Sequence, residues 1–163
     1  MGAKWRMDNI KPIPDFLKST VKKRFVGTYI PNKIVLLDKE QLEVDLTWIT
    51  HTDIGTIIFL LSPTCTACDP KIINEFIRLN PLMNYAIFFH LDDGQTAEDF
   101  FQEDHNVKLY NCDIRIIDDQ IDCGSIVPFM LVVNKIGQIF SGNIYNHIKD
   151  VEMFARPLLN KVM

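Results

Sequence analysis

Two features of the sequence predict an α/β domain with a mixed central sheet flanked by helices. An apolar run rich in β-branched residues, 56–61, is followed by an amphipathic segment, 72–79, and a second apolar run, 85–91, which together form a βαβ unit. A later apolar run, 129–133, and a strand-like segment, 138–141, flank Asn134-Lys135-Ile136-Gly137, the pattern of an antiparallel hairpin. Joining a parallel unit to an antiparallel one makes the sheet mixed, with helices on both faces. The 163 residues are enough for one core. At this size about 68–70% of the unfolded surface is buried on folding, so no disulfide is needed as a staple.

Each element has a local reason. Residues 1–24 read as an N-terminal extension to a domain spanning 25–163; Asp15 caps a helix-like piece with Phe16, Leu17 and Val21 on one side. Two strands, 34–37 and 42–46, are joined through Asp38-Lys39-Glu40-Gln41 into a hairpin. The continuous apolar character of 56–61 is that of a strand covered on both faces. Between 72 and 79, Ile72, Ile73, Phe76, Ile77 and Leu79 recur at three- and four-residue spacing, and Asn80-Pro81 stops the helix. Thr96 caps a short helix over 96–103 with Phe100 and Phe101 inward. Residues 149–162 close the chain with a helix whose Val151, Phe154, Leu158 and Leu159 share a face.

Composition narrows the function. Seventeen Lys+Arg against 21 Asp+Glu give a net charge of −4, and no basic stripe with interleaved aromatics is present, so no nucleic-acid partner is expected. The basic cluster Lys22, Lys23, Arg24 and the acidic group Glu98, Asp99, Glu103, Asp104 read as solvated faces. No apolar stretch approaches the roughly 18 residues of a membrane span. No charged start followed by about 7–15 apolar residues marks a signal peptide. His51, His90, His105 and His147 are isolated; His90, at a strand end, can hydrogen-bond locally.

The cysteines carry the chemistry. Cys65-Thr66-Ala67-Cys68 lies where a buried strand gives way to a helix, and unpaired N–H groups with the positive end of the helix dipole favour a thiolate. Cys65 is therefore the expected nucleophile, and Cys68, one turn on, the sulphur that resolves a mixed disulfide. Pro70 suits a first helical turn. A zinc site would want a second close pair or a Cys/His couple, which Cys112 and Cys123 do not supply, so no metal is expected. Those two are either a second disulfide, which stabilises the segment 113–122 or relays electrons, or two separate thiols.

Taken together, Ser62-Pro63-Thr64-Cys65-Thr66-Ala67-Cys68 after an apolar strand, Val127-Pro128-Phe129 opening a later one, and Gly137 in the following turn resemble the thioredoxin superfamily over residues 25–163. Phe25-Val26-Gly27 and Ile30-Pro31 ahead of a hairpin are similar to its TlpA/ResA-like bacterial thiol-disulfide oxidoreductases. The Ser-Pro-Thr-Cys run also resembles methylamine-utilisation thiol oxidoreductases. The resemblance implies a thioredoxin-like fold, a cis Pro128 against the cysteine pair, and a Val127 backbone that binds a substrate chain. It further implies an apolar contact surface of Pro63 and Phe129, protein thiol or disulfide substrates, an upstream redox partner and no dissociable cofactor. The implied compartment is extracytoplasmic, with a cytoplasmic one left open. The chain departs from cytosolic thioredoxins, which have Trp before the first cysteine, Gly-Pro between the two and a buried Asp upstream; here these places hold Thr64, Thr66-Ala67 and Phe59. Two rival readings stand beside this one. Ser62-Pro63-Thr64-Cys65 imitates the Ser/Thr-x-x-Cys element of peroxiredoxin-like peroxidases, although Ile58 replaces their upstream proline. The other is a non-catalytic binding module or metal chaperone on the same fold.

Overall fold

The structure, a computed structural model, describes residues 25–39, 41–92 and 94–160. The extension 1–24, with its expected helix, and the last residues of the expected C-terminal helix lie outside them.

A two-stranded hairpin, β1 (Lys33–Leu37) and β2 (Leu42–Asp45), precedes the main sheet. That sheet has the order β5-β4-β3-β6-β7, from β3 (Gly55–Leu61), β4 (Asn84–His90), β5 (Val107–Cys112), β6 (Phe129–Asn134) and β7 (Ile139–Ile144). Strands β3, β4 and β5 are parallel, whereas β6 runs antiparallel to β3 and β7 antiparallel to β6. The helices are α1 (Pro70–Leu79), α2 (Ile114–Ile121) and α3 (Ile148–Leu159). The mixed sheet with helices on both faces is thus as the sequence predicts.

Strand alternation divides the interior into two cores. Ile57, Phe59 and Leu61 of β3 face Ile73 and Phe76 of α1 and Val151, Ala155 and Leu158 of α3. Ile58 and Leu60 point the other way, toward Ile114, Ile117 and Ile121 of α2 and toward Ile34, Leu36, Leu46 and Ile49 of the hairpin region. Every residue of β3 is buried, as expected for a central strand sandwiched between layers. The two glycines that matter sit at close approaches. Gly55 opens β3 at φ +137°, where a Cβ would collide with the Val133 carbonyl oxygen. Gly142 leaves room for the Phe25 ring, whose Cε2 would lie 2.6 Å from an added Cβ.

The hairpin is tied to α2 through polar groups that would otherwise be an open strand edge. Gln120 Oε1 accepts from the Val35 N–H at 2.8 Å, and its Nε2 donates to the Val35 carbonyl at 2.9 Å. Trp48 Nε1 donates to the Tyr110 hydroxyl at 2.9 Å, joining the turn after β2 to β5.

Three expectations need correction. The short helix over 96–103 is only a 3₁₀ turn, Ala97–Asp99, closed by a Thr96/Asp99 capping box; Phe101 is buried and Phe100 packs on the core, but the following segment is needed to reach β5. The stretch 107–122, given no strand or helix from the sequence, holds an edge strand of the main sheet and, between Cys112 and Cys123, a regular helix. Both were legible: Val107 and Leu109 alternate onto the first-core side of β5 with Cys112 buried on the opposite side, and Ile114, Ile117 and Ile121 repeat at helical spacing after the Asp113 cap. Third, Leu79 ends α1 exposed at 49% instead of joining its buried face.

Candidate redox site

Strand β3 delivers the chain to the site. Beyond Leu61, Ser62 Oγ and Thr64 Oγ1 lie 3.0 Å apart, and the Cys65 N–H donates to the Ser62 carbonyl at 3.3 Å. A second turn follows, in which the Cys68 N–H donates to the Cys65 carbonyl at 3.1 Å. Only then does α1 begin. Asp69 caps it by accepting from the Lys71 N–H at 3.0 Å, and Pro70 takes the first helical position, where its missing N–H costs nothing. The cysteine pair therefore stands in two turns ahead of the helix and not within its first turn. The expected dipole of α1 acts on Cys65 from farther away, since such effects fall off within a turn.

The two sulphurs have different environments. Cys65 is half-buried and its thiol donates to the Val127 carbonyl at 3.7 Å. Cys68 is buried, and desolvation, reinforced by a hydrogen bond with Cys65, pushes its thiol up to about 12. All four cysteines are thiols in this structure. Antiparallel pairing of Leu60 with Phe129 brings the start of β6 beside the end of β3, so Val127-Pro128 meets the cysteine turn although 62 residues separate Cys65 from Val127. The Val127–Pro128 peptide bond is cis and Pro128 is buried. Around Cys65, Thr64, Thr66 and Ala67 are exposed and Pro63, Ile126 and Val127 half-buried, a rim of apolar side chains and two threonines.

Phe129 is the exception among the expected contact residues. Alternation along β6 sends its side chain into the second core, where it packs edge-on against Phe25 with ring centroids 5.7 Å apart. At 4% exposure it cannot line a docking surface. Phe59 is fully buried in the first core beneath the pair, stacked on Tyr85 at 6.4 Å and edge-on to Tyr145 at 5.7 Å. Tyr145 escaped the sequence reading, because nothing local marks a tyrosine just after a strand as belonging to a site. Burial raises its phenol pKa, with Cys68 and then Cys65 adding to the effect.

Cys112 and Cys123 lie in the second core, at 0% and 4% exposure. Burial raises both thiols, Cys123 to about 12. The central sheet stands between them and Cys65–Cys68, which belong to the first core. A direct electron relay between the pairs would have to cross it. His90 makes the local bond expected of it, its Nδ1 accepting from the Ile114 N–H at 3.1 Å at the start of α2. Among the described residues no group of three or more His, Cys, Asp or Glu comes together to hold a metal. No helix among them is long and apolar enough to cross a membrane.

These environments predict selective labelling. At pH 7 the native protein is expected to take up one carboxamidomethyl group from iodoacetamide, at Cys65, and four after unfolding. Cys68 and Cys123 stay protonated far below pH 12, and Cys112 is sealed in the core. Peptide mass spectrometry reads the sites; equal labelling of Cys68 would contradict the difference in burial.

The sheet order, the cysteine turn after the central strand and the facing Val127-Pro128 loop define a thioredoxin-like fold. A protein of Chlorobium tepidum described as a thiol:disulfide interchange protein, DsbE, superposes with a TM-score of 0.60 at 13% identity, over 85% of this chain and 98% of that one. A secreted Mycobacterium tuberculosis disulfide oxidoreductase does so at 0.53 and 11%, over 77% and 93%. A thiol peroxidase of Chromobacterium violaceum gives 0.53 and 12%, over 85% and 88%. At such identities the likeness is one of fold. No protein-family model matches the sequence. No curated protein matches it either.

Proposed function

We propose that the chain is a protein thiol-disulfide oxidoreductase of the TlpA/ResA-like type, working through Cys65 and Cys68. The observation that carries this reading is the asymmetry of the pair. Cys65 is the reachable sulphur, held at the Val127 carbonyl, while Cys68 lies buried directly behind it. In the reducing direction the Cys65 thiolate attacks a substrate disulfide, forming a mixed disulfide and releasing one substrate thiol. Cys68 then attacks Cys65, which forms the Cys65–Cys68 disulfide and releases the second substrate thiol. The oxidising direction is the same sequence reversed. An upstream dithiol or disulfide partner resets the pair, and Pro63, Val127 and Pro128 border the place where either partner docks. Substrates are protein thiols or disulfides presented on extended chain, since Cys65 lies beside the Val127 backbone with exposed residues around it. The compartment that suits such work is extracytoplasmic, where disulfides persist. The presence of a disulfide oxidoreductase and a DsbE among the structural neighbours agrees with this reading.

The test is trapping. A Cys68→Ser variant incubated with extract should accumulate mixed disulfides through Cys65 that dithiothreitol releases, and the native protein should titrate as one reversible two-electron couple. Absence of both would sink the proposal. Rapid peroxide consumption that needs Cys65 but not Cys68 would instead make the site a thiol peroxidase.

A further inference from the structure

Two buried side-chain oxygens among the described residues lack a hydrogen-bond partner, Thr56 Oγ1 and Tyr145 Oη. A buried polar atom left unpaired is costly, and native structures hold few of them without a reason. Thr56, the second residue of β3, lies on the side opposite Ile57 and Phe59, away from the cysteines. Tyr145 is different. It follows Ile144, which pairs with Phe129, so its backbone stands beside the Val127-Pro128 loop. Its ring is wholly buried in the core that contains Cys65 and Cys68, held edge-on by Phe59. Tyr85, in the same core, has its hydroxyl satisfied by the Asn80 carbonyl at 2.7 Å. Phenylalanine at 145 would keep the packing without the unpaired oxygen.

We propose that the Tyr145 hydroxyl is a positioning donor for the Cys68 sulphur, recruited when that sulphur becomes negative during resolution of the mixed disulfide. The inference rests on the oxidoreductase reading above. In the dithiol the hydroxyl has no partner, and an S–H group is a weak acceptor. Once Cys65 is tied to a substrate sulphur, its hydrogen bond with Cys68 is gone. Cys68 must then lose a proton in an apolar surrounding where no carboxylate is buried, since the buried polar residues of the described chain are Thr56 and Ser62. A phenol O–H donated to the thiolate lowers the cost of that charge. The balance is simple. The Cys68 thiol loses its proton to solvent or to the departing substrate thiolate, its sulphur bonds Cys65 as the Cys65–substrate bond breaks, and Tyr145 keeps its own proton throughout.

Reaction with 5,5′-dithiobis(2-nitrobenzoate) separates the steps. The first release of thionitrobenzoate reports attack by Cys65, and the second reports its displacement by Cys68. Tyr145→Phe should leave the first phase unchanged and raise the pH midpoint of the second by about one unit, the effect of one hydrogen bond to a charged group. A tenfold smaller thiolate fraction, partly offset by a more basic and more nucleophilic sulphur, then slows the second phase about threefold at pH 7. The variant should melt at or above the wild-type temperature. An unchanged second phase overturns the proposal. So do equal slowing of both phases or a lowered melting temperature, which mark a packing role. No first phase in the wild type would overturn the oxidoreductase reading, and this inference with it.

Discussion

Cys65→Ser is expected to abolish thiol-disulfide exchange, leaving less than about one part in 10³ of the wild-type turnover of a disulfide substrate with dithiothreitol as reductant. A serine hydroxyl is not ionised near neutral pH and cannot form the mixed disulfide, and no other thiol can take its place. Cys68 is 7% exposed, Cys112 0% and Cys123 4%, and burial raises the pKa of all three. Cys68→Ser should behave differently: mixed with substrate in the absence of dithiothreitol, it captures one equivalent at the normal rate and holds it as the mixed disulfide, so the first half-reaction survives and resolution by the protein does not. Cys112→Ala and Cys123→Ala should leave turnover within about twofold, because the sheet separates them from the reacting sulphurs. Insulin disulfide reduction followed by turbidity, with single-turnover controls, distinguishes these outcomes. A Cys65→Ser protein retaining a tenth of the activity would move the chemistry to another thiol.

Phe59→Ala should cost about 3–5 kcal/mol of stability, as for other fully buried phenylalanines. Phe59 sits in the middle of β3, paired with Ile87 on one side and Met130 on the other, and its side chain has no exposed surface. Strands on both sides fix the backbone, so the site cannot collapse into the space left behind. The loss includes two aromatic contacts, with Tyr85 and Tyr145. For a chain of this size about 2–4 °C of melting temperature goes with each kcal/mol, so the midpoint should fall by roughly 6–20 °C. Urea unfolding at constant m-value measures it. A change below about 1 kcal/mol would show that the first core rearranges around the gap. Phe59→Asp should be worse, because the carboxyl would enter a layer of apolar and aromatic rings with no cation beside it.

The same residue shows how far the sequence could be read. A buried acid upstream of the cysteines is absent from the sequence, and the phenylalanine there signals an apolar floor. What the sequence could not show was the tyrosine that the fold lays against that floor from a point 86 positions along the chain, 59 to 145. The β-branched run of β3, the spacing of Ile73 and Phe76, the Asp69-Pro70 start of α1 and the hairpin turn at Gly137 are all local patterns. Each is fixed by strand or helix period and by the φ preferences of a few residues. The cysteine pair was legible for the same reason, because three-residue spacing is itself a statement about reach. Its placement relative to α1 was not. Two turns intervene before the Asp69 cap, a matter of backbone hydrogen bonds to Ser62 and Cys65 that many sequences could make.

Chain order thus determined an α/β layer structure and named two sulphurs that could react together. Which of them is the more exposed was decided by the packing of the start of β6 against the end of β3, which sets the Val127 carbonyl beside a half-buried Cys65 and leaves Cys68 buried. Strand alternation placed Phe129 in the second core and Tyr145 entered the first, so that one expected contact residue was removed and an unexpected polar group was supplied. Cys112 and Cys123, indistinguishable in the sequence from a relay, were set behind the sheet. Burial and proximity depend on which surfaces the sheet order brings together, and residues tens of positions apart carry no mark of that until the strands have paired.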